Sequence, residues 1–562
     1  MFFSFFLIIF FLLLFLLGTI GYGKLLYSLL FKRILNDNYG EYGLLGLIFI
    51  SLLSTFIHFF FSIDTNINFI IYFFGLFFAY NFYSEIEIFI KKNKYILSVF
   101  LFISFFMVIY HKPNEDFGYY HLPYLINFTS DKIIFGLANV QTNQGWNSMW
   151  LNLTATYNLP LIRMNGIHLT NVIFFFFFSL AILEPILNSK NYLQTKNQIN
   201  NLINIFSVIF FLYFVTKFSR LGKYGFDIPS NFIAIYCFYL FLNFFSLKKN
   251  SIFIKNNIFQ KIIIFSFFSV LIKLSNFLIL LLPAFIFFRR KIKILSKTFL
   301  FIFIFIFIWS IQQFIYTGCF FYPLIVSCLD MSWFNLDPVL DLLNHTKGIN
   351  KSFAQYQGNL SELEYSKNFN WVPTWFNRNK IEMLEHLLTF VIIFFLLILI
   401  FFRKNITRYN KNTSYKYNIF YLSLFIIFLQ VLFWFNTSPV VRFGFHYVLL
   451  FLFFLLSLIF NKFLLRIFVY KHVIFLIYIG LILNIQKNLF RIYEDIKINN
   501  TIFYTYPKIF FKNENIADKK ININYLIKDK SIYCWDTPSI CLAGNQNLII
   551  DRVNGYLVIV KK

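Results

Sequence analysis

The sequence lacks several features that would place it in a familiar class of protein. It has five cysteines and eight histidines among 562 residues, and no group of them shows the ligand spacing of a metal site. The alternating polar and apolar runs of a transmembrane β-barrel are missing. No Gly/Ser linker, long low-complexity run or internal repeat divides the chain. The sequence therefore gives little support to a barrel, a repeat array or a Cys/His metal protein.

Apolar residues dominate the chain instead. Hydrophobic residues make up 59% of it and its mean hydropathy is +0.67, whereas soluble domains contain roughly 45–50% apolar residues. They form runs of about 20 residues, the length of a helix that crosses a hydrocarbon core about 30 Å thick. Backbone groups in lipid must bond within their own segment, so these runs should be helices. We predict an all-α polytopic membrane bundle with large outer loops and a small C-terminal α+β or β tail.

About fourteen membrane segments are predicted, each one helix long. The first lacks a basic n-region and a small-residue cleavage site, so we interpret it as a retained helix rather than a signal peptide. The segments are 2–22, 44–63, 67–84, 95–110, 169–187, 201–217, 230–246, 258–272, 275–288, 298–316, 386–402, 417–435, 446–460 and 467–485.

The net charge of +26 does not indicate nucleic-acid binding, because no basic module with interleaved aromatic residues is visible. Lysines and arginines cluster in short loops between the predicted spans, which is the positive-inside pattern and also suits anionic lipid. Arg220 and Lys223 fall on the other side. The basic clusters are Lys24, Lys32 and Arg33; Lys91, Lys92 and Lys94; Lys248, Lys249 and Lys255; Arg289, Arg290, Lys291 and Lys293; and Arg403, Lys404, Arg408 and Lys411.

This orientation places the longest polar stretches on the outer side. We predict a transmembrane bundle over residues 1–486, with outer loops at 111–168 and 317–385. Residues 487–562 form an extracytoplasmic tail, in which two short strands surround a turn. The tail is small for an independent core, so it should dock on the outer loops. The segment 258–288 lies between two basic loops, so it either crosses the membrane twice or is re-entrant.

Four of the cysteines form two pairs on the predicted outer side. Cys534 and Cys541 lie in the tail, and Cys319 and Cys328 begin the second outer loop. If the outer side is oxidising, each pair can form a disulfide, although the spacing allows a bridge without requiring one. Cys237 lies in a predicted span, where we expect it to serve packing.

The first outer loop contains the best candidates for catalysis. Glu115 and Asp116 follow directly after a predicted span. A carboxylate at the membrane surface can deprotonate an acceptor hydroxyl or coordinate a cation that neutralises a phosphate. A solvated turn that happens to carry acids is the plain alternative. His121 could help to bind a phosphate or another polar substrate, although a lone loop histidine is more often structural.

Candidates for substrate binding are spread along the chain. Asn147 and Trp150 suit a sugar, since aromatic faces stack on C–H surfaces while amides bond hydroxyls, but an interfacial aromatic belt also places Trp at this depth. Asp227 is a second acid on the outer side. Lys273 and Arg442 lie within or at the start of apolar runs, where ionisable groups are costly and indicate function. Arg442 could clamp a phosphate; snorkelling and an ion pair are the plain alternatives.

Several segments, in consistent order over most of the chain, resemble a bacterial family of uncharacterised multipass proteins similar to the GT-C superfamily. That superfamily contains integral membrane glycosyltransferases that use lipid-phosphate-linked sugars. The acidic motif in the first large outer loop carries the likeness to the superfamily. The segments are Asp116-Phe-Gly-Tyr-Tyr-His121-Leu, Gly136-Leu-Ala-Asn, Gly145-Trp-Asn-Ser, Asp227-Ile-Pro, Thr317-Gly-Cys-Phe-Phe-Tyr322-Pro323, Ser438-Pro-Val-Val-Arg442-Phe-Gly and Cys534-Trp-Asp.

The resemblance implies an extracytoplasmic glycosyltransferase in a bacterial inner membrane, acting in cell-envelope glycan assembly. Asp116, with Glu115 as its neighbour, would be the base toward an acceptor hydroxyl on a glycan, lipid or protein. A polyprenyl phosphate or diphosphate would leave, its charge met by Arg442, Lys273 or His121. One carboxylate suffices for inversion. A divalent cation is the one cofactor left open. In that superfamily the acids usually lie close to the first span, whereas in this chain they follow about the fourth predicted span.

Other classes of function fit some of these features. A transporter or flippase for lipid-linked saccharides would also have many spans and buried cations, but paired internal halves are not visible and long outer loops would serve it less. A polymerase or ligase would share the large outer loop. A non-catalytic assembly protein is a third possibility.

Overall fold

A computed structural model describes most of the chain. The described residues are 2–31, 38–109, 116–188, 198–222, 225–247, 251–290, 295–334, 362–367, 369–401, 414–460, 470–499, 517–521, 524–527, 539–542 and 548–561, with Leu340, Leu343, Gly348, Asn350, Lys351, Cys534 and Thr537.

Helices make up nearly all of this structure. The α-helices are α1 (Phe2–Leu30), α2 (Tyr39–His58), α3 (Thr65–Asn81), α4 (Tyr83–Ile109), α5 (Leu122–Ser130), α6 (Met149–Ala155), α7 (Thr170–Asn188), α8 (Gln198–Lys217), α9 (Asp227–Ser246), α10 (Ile252–Ile272), α11 (Leu281–Arg290), α12 (Ser296–Thr317), α13 (Glu362–Ser366), α14 (Val372–Phe401), α15 (Ser414–Thr437), α16 (Val441–Ile459) and α17 (Tyr470–Asn499). A π-helix covers Phe117–His121, and 3₁₀ turns include Leu137–Asn139, Thr142–Gly145, Met164–Leu169, Leu274–Leu280 and Ile325–Ser327.

Twelve helices in the described part of the chain are long and apolar enough to cross a membrane: α1, α2, α4, α7 to α10, α12 and α14 to α17. The protein is therefore an integral membrane protein with an all-α bundle, as the composition predicts. The sequence predicts about fourteen spans, and two of these are shorter elements. Segment 67–84 is α3, with 17 residues, and segment 275–288 is a 3₁₀ helix followed by α11.

The prediction of a loop at Lys91, Lys92 and Lys94 is wrong. These lysines lie within α4, a single helix of 27 residues, and they are exposed on its surface. Ile86 and Phe89 on another face of the same helix are buried. The lysines fall on the polar side of an amphipathic first half, so they do not interrupt the helix.

The two ends of the bundle differ, and we call one of them the loop end. It carries residues 116–168, residues 318–334 and the hairpin formed by β4 (Leu548–Val553) and β5 (Tyr556–Lys561). The hairpin reaches the end of α2, where Tyr556 Oη donates a hydrogen bond to the Phe59 carbonyl at 3.2 Å. α17 runs to Asn499, past residue 486, where the sequence places the start of the tail.

The segment 258–288 crosses the bundle and returns. α10 ends beside Lys273 at the loop end. The 3₁₀ helix and α11 then extend over roughly 30 Å by their rises per residue. At the far end, the Leu295 amide donates to Gln260 Oε1 at 3.2 Å, and Lys297 Nζ donates to the carbonyl of Leu29 at 3.1 Å. The path thus returns toward the far end of the bundle, and the 3₁₀ helix and α11 together form a shorter apolar segment than the twelve long helices.

Close contacts and paired charges hold the helices together. A Cβ atom at Gly46 of α2 would lie 1.9 Å from the carbonyl oxygen of Thr19 in α1, and small residues allow such approach between membrane helices. At the end opposite the loop end, Glu41 of α2 pairs with Lys261 of α10 and accepts a hydrogen bond from Tyr236 of α9 at 2.9 Å. A buried ion pair therefore connects three helices.

The tail has two small sheets. β1 (Ala517–Ile521), β2 (Asn524–Ile527) and β3 (Cys541–Leu542) form one in the order β1-β2-β3, with β1 and β2 antiparallel and β2 and β3 parallel. The antiparallel β4–β5 hairpin forms the other and docks on the first outer loop. Phe135 donates to the Leu557 carbonyl and accepts from the Ile559 amide, both at 2.9 Å, and Arg552 pairs with Asp131 at 3.1 Å.

Both cysteine pairs that the sequence singles out are disulfides, Cys534–Cys541 and Cys319–Cys328. The first lies in the tail and the second begins the residue 319–334 segment. Cys237 is a buried free thiol in α9, consistent with a packing role.

A substitution at Asn139 tests how the tail is attached to the outer loops. Asn139 Nδ2 donates to the carbonyls of Trp333 and Ile559, at 2.6 and 2.9 Å, so one side chain joins both outer segments and the hairpin. Asn139→Ala should lower the free energy of unfolding by about 1–3 kcal/mol, because it removes two partly buried hydrogen bonds. Thermal unfolding in detergent measures this, with the exposed Asn66→Ala as control; equal melting temperatures for both variants would contradict it.

Candidate functional site

Four charged residues from distant parts of the chain meet at the loop end. Arg442 forms an ion pair with Asp116, and its Nε lies 3.2 Å from Asp227 Oδ2. Lys273 Nζ lies 2.5 Å from Asp227 Oδ1. Two cations and two carboxylates thus form one continuous network. We call Asp116, Asp227, Lys273 and Arg442 the charge cluster.

Helix ends position most of the charge cluster. Asp227 is the first residue of α9 and Lys273 directly follows α10, so each charge suits the helix dipole beside it. Arg442 is the second residue of α16, where the dipole disfavours a cation. Its position therefore depends on the two carboxylates that face it.

Two tryptophans fix the segment that delivers Arg442. Trp375 Nε1 of α14 donates to the Pro439 carbonyl at 2.6 Å, and Trp434 Nε1 of α15 donates to the Val440 carbonyl at 2.9 Å. Both indoles are more than nine-tenths buried. Gly444 admits the second indole, because a Cβ atom there would lie 2.2 Å from Trp434 Cγ. The motif Ser438-Pro-Val-Val-Arg442-Phe-Gly444 is therefore built to hold one guanidinium.

Exposure divides the charge cluster into two parts. The side chains of Asp116 and Arg442 are 28% and 38% exposed, whereas those of Asp227 and Lys273 are 11% and 9% exposed. The first pair can meet a soluble substrate directly. The second pair lies behind it and orients the guanidinium.

His121 lies beside the charge cluster. The π-helix Phe117–His121 begins directly after Asp116, and five residues make a little more than one π turn, so the two side chains share a face. The imidazole is buried among aromatic rings. Its ring centroid lies 5.3 Å from that of Phe226 and 6.0 Å from that of Trp150. Neither ring nitrogen has a hydrogen-bond partner among the described residues. Burial lowers the pKa of His121 to about 4, against the opposing effect of Asp116 and Asp227.

The other candidates from the sequence have different surroundings. Asn147 belongs to a separate buried network, in which its Nδ2 donates to Gln312 Oε1 at 2.8 Å and Tyr124 Oη donates to its Oδ1 at 3.4 Å. Trp150 packs near His121, and its Nε1 donates to Asn171 Oδ1 at 2.7 Å. Both side chains are buried and satisfy their polar groups within the protein. Glu115 lies outside the described residues.

Sequence reasoning missed two residues at the site. The ring centroid of Phe443 lies 3.3 Å from Lys273 Nζ, a cation–π contact. Among 87 phenylalanines nothing distinguishes it except its place after Arg442. His446 lies one helical turn after Arg442 and is buried; that four-residue spacing was a signal available in the sequence.

The charge cluster can bind an anion or accept a proton. In the part of the chain that the structure describes, no three or more His, Cys, Asp and Glu residues are grouped to hold a metal ion. The divalent cation left open by the sequence therefore gains no support from these residues. The two cations of the charge cluster can attract a phosphate.

The arrangement of the charge cluster predicts that Asp227→Asn and Lys273→Met lower the free energy of unfolding by different amounts. Asp227→Asn leaves Lys273 buried without its carboxylate, whereas Lys273→Met leaves Asp227 still beside Arg442. Asp227→Asn should therefore lower the free energy of unfolding by about 3 kcal/mol or more, and Lys273→Met by less. Glu385→Gln, which breaks the exposed Lys217–Glu385 pair, should cost about 1 kcal/mol or less. Chemical unfolding in detergent measures all three, and equal losses at Asp227 and Lys273 would contradict the assignment.

His121 predicts a pH dependence of stability. Its pKa is about 4 in the folded protein and 6.5 when unperturbed, so the unfolded chain binds the proton more readily between these values. Stability should fall as the pH decreases from 6.5 toward 4. The His121→Phe variant should lose less stability than wild type over that range. Melting temperatures across pH 4–8 test this, and parallel curves for both proteins would contradict it.

Comparison with known proteins places the chain in a family. Residues 4–449 match the family model described as a domain of unknown function, DUF8201. The matched range contains the whole charge cluster and ends before the β4–β5 hairpin. No curated protein and no solved structure matches the chain. Because the match covers more than half of the 562 residues, the chain belongs to the DUF8201 family.

Proposed function

We propose that this protein is a membrane glycosyltransferase of the GT-C type. It transfers a sugar from a polyprenyl-phosphate-linked donor to an acceptor hydroxyl at the loop end, with inversion at the anomeric carbon. The loop end faces the extracytoplasmic side of a bacterial inner membrane, and the reaction serves assembly of a cell-envelope glycan. Arg289, Arg290 and Lys297 toward the opposite end and two disulfides at the loop end support this orientation.

The pairing of Asp116 with Arg442 carries the proposal. The side chain of Asp116 is partly exposed and lies against the guanidinium of Arg442. A carboxylate at such a position can accept a proton from an acceptor hydroxyl. The neighbouring guanidinium can bind a phosphate with charge-assisted hydrogen bonds. A base and an anion-binding group are thus adjacent, as displacement of a phosphate from a sugar requires.

The proposed reaction is one displacement. The acceptor oxygen bonds to the anomeric carbon while its proton moves to Asp116. The bond between that carbon and the phosphate oxygen breaks, and the phosphate leaves with the electron pair. Arg442 then exchanges part of its contact with Asp116 for the phosphate, while Asp227 and Lys273 hold the guanidinium in place. A single carboxylate of this kind leads to inversion.

The position of the charge cluster suits a lipid-linked donor. Asp227, Lys273 and Arg442 lie at the ends of α9, α10 and α16, all of them among the helices long enough to cross a membrane. A polyprenyl chain in the bilayer would hold its phosphate near this depth. The polar acceptor would approach over residues 116–168 and the docked hairpin.

Asp116→Asn tests the proposal. Membranes that contain wild type or variant at equal expression are supplied with a pool of polyprenyl-linked sugar donors, and incorporation into acceptor is measured. The variant should lose about 100-fold or more of the transfer rate, because a general base contributes roughly 10²–10⁴. Asp330→Asn, an exposed acid at the same end, should transfer as wild type does.

Two results would count against the proposal. If wild type transfers no sugar yet moves lipid-linked saccharide across the bilayer, the protein is a flippase or transporter. If wild type transfers sugar and Asp116→Asn does so equally well, the base lies elsewhere, and Asp227 becomes the next acid to replace.

A further inference from the structure

A buried histidine in α16 has no part in the reaction described so far. His446 follows Arg442 by four residues, so it lies on the same face of the helix and about 6 Å deeper along its axis. It is 4% exposed. Neither of its ring nitrogens has a hydrogen-bond partner among the described residues. A buried polar group in this state calls for a water or a ligand.

Lys273 connects His446 to the charge cluster. Its ammonium lies 3.3 Å from the ring centroid of Phe443, and Phe443 lies between Arg442 and His446 in the sequence of α16. The Lys273 side chain is 9% exposed. Lys273 therefore lies against the first turn of α16, between the positions of Arg442 and His446 along the helix.

The neighbouring 3₁₀ helix adds a further polar group. Ser275 Oγ is buried and has no hydrogen-bond partner among the residues that the structure describes. Its carbonyl accepts from Gln430 Nε2 at 2.6 Å. The next residue, Asn276, accepts a hydrogen bond from Tyr447 Oη at 2.9 Å, and Tyr447 adjoins His446. An unpaired hydroxyl and an unpaired imidazole thus lie on adjoining elements.

We propose that His446, with Lys273 and Arg442, forms the binding site for the phosphate of an isoprenoid lipid. This inference rests on the proposed function and assigns the two sides of the charge cluster. The acceptor binds on the exposed side at Asp116, and the phosphate binds on the buried side. When the bond from the anomeric carbon to the phosphate oxygen breaks, the phosphate keeps the electron pair and the N–H of His446 donates a hydrogen bond to it.

The donor set and its depth favour a lipid phosphate. An ammonium, a guanidinium, an imidazole N–H and the Ser275 hydroxyl can all donate to phosphate oxygens. His446 lies within the first turns of a helix long enough to cross the membrane, so a phosphate there would be close to the headgroup region. A soluble phosphate would instead meet the exposed pair first.

Binding can be measured without any transfer reaction. The full-length protein in phosphatidylcholine nanodiscs is titrated with an isoprenyl monophosphate, with the uncharged isoprenol of the same chain length, and with inorganic phosphate. We expect the monophosphate to bind at least tenfold more tightly than either of the others. Equal binding of the isoprenol would overturn the phosphate site, and equal binding of inorganic phosphate would overturn the lipid assignment.

Variants assign the site to His446. His446→Phe should weaken monophosphate binding about tenfold, because one hydrogen bond to a charged group is lost, without changing isoprenol binding. His446→Gln keeps a donor and should recover most of the affinity. His386→Gln is the control, a buried histidine in α14 whose Nδ1 is already paired with Tyr213 Oη at 2.6 Å. Melting temperatures show whether each variant is folded.

The outcomes separate this inference from the proposed function. Monophosphate binding that is unchanged in folded His446→Phe would overturn the role of His446 while leaving glycosyl transfer possible. Binding that depends on His446, in a protein that transfers no sugar, would support the lipid-phosphate site and count against the glycosyltransferase.

Discussion

The structure of the loop end depends on one guanidinium in an unfavourable place. Arg442 lies at the start of α16, where the helix dipole repels a cation, and at the edge of an apolar bundle, where a charge is costly. Asp116 and Asp227 compensate for both effects. These acids come from the first outer loop and from α9, so the position of Arg442 requires three distant segments to fold together. Lys273 then balances the second carboxylate.

The surrounding structure restricts this contact to one geometry. Indole N–H groups from α14 and α15 hold the carbonyls of Pro439 and Val440 just before α16. The π-helix sets the direction of the side chains that follow Asp116. The tail hairpin pairs with Phe135 further along the same loop. The segments that supply Arg442 and Asp116 are therefore both held in place by other elements.

Burial gives the two sides of the cluster different chemistry. The accessible pair, Asp116 and Arg442, can meet solutes, whereas the buried pair, Asp227 and Lys273, is shielded from water. A catalytic base needs the first kind of environment, and a group that orients or binds a phosphate benefits from the second, because electrostatic interactions strengthen as water is excluded. This division is the physical basis for the proposal that acceptor and lipid phosphate bind on opposite sides.

The sequence by itself determined the membrane class and nominated the charged residues of the site. Apolar runs of helix length have one stable form in lipid, and ionisable residues beside them are too costly to be incidental. It could not show that Arg442 contacts Asp116, which lies 326 positions earlier. Nor could it show that Lys91 lies within a helix or that Asn147 serves an internal network. Those outcomes depend on which helix faces pack together, and only the tertiary structure decided them, because local composition does not specify contacts between distant segments.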